Sequence, residues 1–130
     1  MTAESSTSLR RGLAVLFALA GDEAVRSGGL GVTRVAELIG REKSQVSRTL
    51  KILAEHGVVD RNAKTLAYRL SWRFLTLAAQ AGEQRLLEQG PGVLRGVVAE
   101  LGERAHLSVL HAAEVLTVLS ESPPHAVQAA

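Results

Sequence analysis

From Ser8 onward the apolar residues Leu9, Leu13, Leu16, Phe17 and Ala20 recur at i, i+4, i+7, i+8 and i+11. That spacing predicts one face of a core helix with Ser8 as its N-cap. Gly28, Gly29 and Gly31 then occupy a stretch without periodicity, which predicts a flexible connection. Thr33 is placed to cap a short helix with Val35, Leu38 and Ile39 facing inward, and Gly40 permits a sharp turn at its end. In the helix that follows, positions 100° apart put Val46, Leu50 and Leu53 on one side and Ser44, Ser47, Arg48 and Lys51 on the other. Gln45 lies near the boundary of the two faces, by the leading end of the helix.

Gly57 suits the residue after a helix end, and two strand-like runs, residues 58–61 and 66–70, flank Asn62-Ala63-Lys64-Thr65. Leu66, Tyr68 and Leu70 alternate with Ala67 and Arg69, so the second run can bury one side and turn a guanidinium outward. This predicts a β-hairpin wing with Lys64 at its tip. Residues 72–89 are apolar enough for a helix that must pack on something, and Gly90-Pro91-Gly92 is read as a break. Beyond it Val93, Leu94, Val97, Val98 and Leu101 form an apolar stripe ending at Gly102, followed by strands over Ala105–His111 and Val115–Glu121 and a tail opened by Pro123-Pro124. No internal repeat is found.

Two short helices hinged at a glycine, the second with a basic, hydroxyl-rich outer face, and a hairpin after them form the pattern of a winged helix-turn-helix that reads duplex DNA. Charge sharpens this. Residues 1–80 carry 12 Lys and Arg against 7 Asp and Glu, while residues 81–130 carry 3 against 6, so the positive charge is concentrated around the helix-turn-helix. Aromatics at 3% are too few for a platform that stacks single-stranded bases.

The outer helix face and its leading end nominate Ser44, Gln45, Ser47 and Arg48 for contact with base edges, because arginine can pair bidentately with guanine and glutamine with adenine. Lys43, Lys51, Arg61, Lys64 and Arg69 ring the helix and wing and are nominated for backbone phosphates. A solvated basic surface is the bland reading of the same residues.

Other chemistries find little support. With no cysteine there is no disulfide framework or thiolate site, and His56, His106, His111 and His125 do not form a metal set; the odd spacing of His106 and His111 sends them to opposite strand faces. Lys43-Ser44 lacks the glycine that a P-loop requires before it. No nucleophile, base and oxyanion arrangement is recognisable, so the chain is read as a non-enzyme without cofactor. The start lacks the regions of a signal peptide and no apolar run reaches membrane-spanning length, which makes the cytoplasm the expected location and a membrane no partner.

Leu9 to Leu16 and Gly40-Arg41-Glu42-Lys43-Ser44-Gln45-Val46-Ser47-Arg48-Thr49-Leu50 resemble the opening helix and recognition segment of the IclR family of bacterial transcription regulators. Lys43, Ser44, Val46, Arg48 and Leu50 match the family's usual segment outright, whereas Arg41, Glu42 and Ser71 stand where leucine, proline and glycine are common. The resemblance runs from about Ser8 to Pro123 and implies a mainly α fold with a β-hairpin wing: a winged helix-turn-helix, a linker helix and a truncated α/β effector domain. The corresponding divisions are a disordered tail at 1–7, the DNA-binding domain at 8–71, the linker helix at 72–89 and a partial effector-binding domain at 90–130. It further implies a double-stranded DNA operator as partner, a homodimer or dimer of dimers, and a small organic effector that modulates repression more often than activation. The rivals are a winged-helix protein-interaction module without DNA binding, and an enzyme carrying an accessory winged helix.

Overall fold

The computed structural model describes residues 3–124. Met1 and Thr2 of the expected tail, and the chain beyond Pro124 with His125, lie outside the described residues. The chain divides into two compact units, Met1–Leu77 and Ala78–Ala130.

The first unit contains α1 (Ala3–Leu19), α2 (Asp22–Ser27), α3 (Val32–Ile39), α4 (Lys43–Glu55), β1 (Val59–Arg61) and β2 (Tyr68–Leu70). Its core joins Val15 and Leu19 of α1 to Val35, Val46 and Leu50 of the helix-turn-helix and to Leu30, Val59 and Tyr68 of the wing side. Burying a Val or Leu side chain fully is worth about 1.5–3 kcal/mol, so these residues hold α1, α3, α4 and the hairpin together. β1 and β2 pair antiparallel with Val59 opposite Leu70 and Arg61 opposite Tyr68.

Several expectations change here. α1 begins at Ala3, extending into the segment read as a tail, so Ser8 is an interior residue and not a cap. The face of α1 that enters the core is Val15 and Leu19, while Phe17 is 75% exposed and Leu13 48% exposed. The helix is apolar on more than one side, and of the expected stripe Leu16 packs against the core while Leu13 and Phe17 do not. The glycine-rich connection is held in place: α2 ends just before it at Ser27, and Leu30 pairs with Tyr68 as a one-residue bridge beside β2. Gly29 sits at φ +133°, and a Cβ there would lie 2.6 Å from the Tyr68 carbonyl oxygen, so only glycine lets the strand approach. α3 starts after Gly31, in extended conformation, and Thr33 lies within its first turn. Leu66, read as an inward strand residue, is 51% exposed and takes a left-handed φ of 65° at the wing tip.

α5 (Arg73–Gln80) crosses the boundary between the units and has no buried residue. The single helix expected over 72–89 is interrupted at Gly82, which has φ +62°, and α6 (Gln84–Leu101) continues through Gly90-Pro91-Gly92 where a break was expected. Packing explains the continuity: Gly90 is buried, and a Cβ on it would meet Leu119 Cδ1 at 2.7 Å and Leu107 Cδ2 at 3.1 Å. The missing side chain lets the second unit's hairpin lie directly on the helix. That hairpin pairs β3 (Ala105–His111) with β4 (Glu114–Glu121), and Leu94 and Val98 bury the same side of α6.

Candidate nucleic-acid interface

The turn into α4 is built by Gly40, which ends α3 at φ +67°, while the Arg41 N–H donates to the Ala36 carbonyl at 3.1 Å. This is the glycine-capped helix end that frees the chain to change direction at once. Glu42 stays extended (φ −68°, ψ 139°) and its carbonyl accepts the first bond of α4, from Val46 N–H at 3.1 Å. A proline is therefore unnecessary to start this helix.

Because Val46 and Leu50 are fully buried, the orientation of α4 is fixed and its opposite side must face solvent. Ser44, Arg48 and Lys51 occupy that exposed side with Lys43 at the leading end. Ser47 is half-buried on one flank. Gln45 is half-buried on the other, where it lines a groove against α1 together with Arg48 and Thr49. The Thr49 hydroxyl donates to the Gln45 carbonyl at 2.9 Å, tying two of these residues along the helix.

The wing supplies three cations of different freedom. Lys64 and Arg69 are exposed, and the tip that carries Lys64 is shaped by Asn62, whose Oδ1 accepts from the backbone N–H of Lys64 at 2.8 Å and Thr65 at 3.0 Å. Arg61 stacks its guanidinium 5.4 Å from the Tyr68 ring centre, an arrangement that sequence spacing did not reveal. At the base of the wing the Ser71 hydroxyl donates to the Gly57 carbonyl and accepts from Arg73 N–H at 3.2 Å, anchoring the end of β2 to the end of α4 and starting α5. Serine does here what a glycine would not.

One cation near the helix-turn-helix is already committed. Arg34 donates to both Glu23 oxygens at 2.7 and 2.8 Å and to Glu37 at 3.0 Å. The hydrogen bond from Arg34, reinforced by its charge, holds the Glu23 carboxyl below its ordinary value, and the two carboxylates raise that of Arg34. Arg11 was missed altogether: it is half-buried on α1, faces the groove shared with Gln45 and Arg48, and its Nε–H has no acceptor among the described residues. The only signal in the sequence is the basic pair Arg10-Arg11 inside an apolar helix.

Elsewhere, His106 Nδ1 lies 2.8 Å from Ser120 Oγ across the β3–β4 pair. No group of three or more His, Cys, Asp or Glu is placed to hold a metal ion among the described residues. No helix among them is long and apolar enough to cross a membrane.

Residues 8–63 match the IclR helix-turn-helix domain. The fold is shared with the IclR transcriptional regulator of Alicyclobacillus acidocaldarius (24% identity, TM-score 0.65, 91% of this chain and 47% of that one). It is shared also with an IclR homolog of Microbacterium hydrocarbonoxydans solved with 4-hydroxybenzoate (21% identity, TM-score 0.69, 90% and 47%). Pseudomonas aeruginosa HmgR matches at 26% identity with a TM-score of 0.59, over 90% of this chain and 49% of that one. The chain thus spans about half the length of the solved structures it matches. No curated protein matches it in sequence.

Proposed function

We propose that the chain, which matches the IclR helix-turn-helix domain over residues 8–63, is a sequence-specific double-stranded DNA-binding regulator of transcription. One observation carries the reading: the buried Val46 and Leu50 leave Ser44, Arg48 and Lys51 as the outward stripe of α4, and the wing cations Lys64 and Arg69 are exposed as well. A helix held this way enters a major groove with its leading end on base edges while the wing tracks the backbone.

In this reading Arg48 and Ser44 are the principal base readers, and Gln45 and Ser47 act from the flanks. Lys43, Lys51, Arg61, Lys64 and Arg69 contact phosphates, with Arg61 leaving the Tyr68 ring or reaching past it. The protein acts as a homodimer or dimer of dimers, because one winged helix reads only a short half-site and two-fold symmetry doubles the reach. Repression by occlusion is the expected output, in the cytoplasm. A small organic effector bound by the second unit modulates it, a role supported by the Microbacterium homolog's complex with 4-hydroxybenzoate.

Binding to genomic duplex fragments across a salt series tests the proposal. Neutralising several phosphates releases counterions, so affinity should fall steeply as salt rises. A chain that binds no duplex even at low salt would instead favour a protein-interaction module.

A further inference from the structure

The groove between α1 and α4 combines charge and apolar wall in a way that DNA contact alone does not use. It encloses about 750 Å³, within the range of about 300–1,000 Å³ typical of small-molecule sites. Arg11 and Arg48 both line it, and none of the lining residues from Thr7 onward carries a carboxylate. The Arg11 Nε–H is buried with no acceptor among the described residues, a costly state that an anion drawing the guanidinium into the groove would relieve. Arg34, by contrast, has spent its guanidinium on two glutamates.

The walls decide which anion. Leu13 is 48% exposed and Ile52 54% exposed on either side of the groove, with Leu16 and Leu53 deeper. A sugar-phosphate backbone would leave that hydrocarbon uncovered. A second copy presenting the same face would bring arginines against arginines. Space is open beside Gly12 in the lining, since a Cβ there would meet nothing within 4 Å. We propose that this groove binds a hydrophobic organic anion, whose carboxylate accepts from Arg11 and whose hydrocarbon body lies on Leu13, Leu16 and Ile52. Because Gln45 and Arg48 belong to both surfaces, occupancy excludes DNA. The exclusion rests on the DNA-binding reading; the binding of the anion does not.

The test uses the full chain with 1-naphthoate and its neutral counterpart 1-naphthalenemethanol, followed by calorimetry and by amide shifts of the isotope-labelled protein. Saturable binding of naphthoate, at least about tenfold tighter than the alcohol and with shifts confined to residues 7–16 and 45–53, is the expected result. Arg11→Met should weaken naphthoate by a similar factor, and Gly12→Leu, which fills the groove without removing charge, should abolish it. Should Arg11→Met fail to fold, Gly12→Leu decides alone. Equal affinity for acid and alcohol, an unchanged affinity in Gly12→Leu, or shifts confined to residues 78–124 would overturn the proposal. Self-association of the wild type that Gly12→Leu dissolves would overturn it in favour of a second copy. With a bound duplex, naphthoate should release DNA from the wild type and not from Gly12→Leu. If no duplex binds in the first place, the DNA reading fails while the naphthoate isotherm still settles the groove.

Discussion

Leu30 and Tyr68 exchange two backbone hydrogen bonds, Leu30 N–H to the Tyr68 carbonyl at 2.8 Å and Tyr68 N–H to the Leu30 carbonyl at 2.7 Å. This reciprocal pair fastens the loop before the helix-turn-helix to the wing behind it, and both side chains are buried in the same core. Gly29 makes the approach possible. Gly29→Ala places a methyl group against the Tyr68 carbonyl at a φ that alanine rarely adopts, and should cost about 2 kcal/mol or more of unfolding free energy. Denaturant titration checks it.

The β3–β4 hairpin turns through Ala112 and Ala113 at φ 48° and 64°, a left-handed pair for which alanine is poorly suited. Replacing them with Asn-Gly, the preferred pair for such a turn, should stabilise the second unit by about 1–2 kcal/mol. Hydrogen exchange of the β3 and β4 amides should slow accordingly, with those of residues 30–60 unchanged.

Arg34 ties α2 to α3 through Glu23. Because the folded-state value of Glu23 is lowered, its contribution is present above the ordinary carboxylate range and is lost as pH falls through the folded value. The pair is exposed, so the effect is small. Glu23→Gln should lower stability slightly at neutral pH and flatten the acid side of the stability profile, and parallel profiles for the two proteins would exclude the linkage.

Much of this was legible in the sequence, and what escaped did so for identifiable reasons. The inward face of α4 could be read from Val46, Leu50 and Leu53 because the other side is polar, leaving one stripe to choose. In α1 the apolar residues surround the helix, so choosing Leu9, Leu13 and Phe17 over Val15 and Leu19 was a matter of partner, which local spacing does not encode. α2 is only 6 residues long, too short to show a period, and the Leu30–Tyr68 rung joins positions far apart in sequence. Gly90-Pro91-Gly92 looked like a break, yet the leucines of the hairpin require a helix with no side chain at 90. The residue types of the candidate interface were visible from composition and spacing. The flank position of Gln45 was legible too, whereas the stacking of Arg61 and the orphaned Arg11 depend on which neighbours the fold supplies.

Lys64 stands exposed on a wing tip whose shape comes from Asn62, not from the lysine itself. Lys64→Ala should leave stability within about 0.5 kcal/mol of the parent. It should weaken operator and random duplex alike and reduce the dependence of log affinity on log salt by about one unit. Fluorescence anisotropy across a salt series reads both effects.

The central claim is that the outward stripe of α4 reads base sequence, and Arg48 tests it most directly because it is exposed and outside the core. The measurement is the affinity of wild type and Arg48→Ala for a duplex selected from genomic fragments and for a scrambled duplex, at one salt concentration. The reading predicts a loss of about 1–3 kcal/mol on the selected site and a clearly smaller loss on the scrambled one. Equal losses on the two duplexes, or none on either, would contradict it.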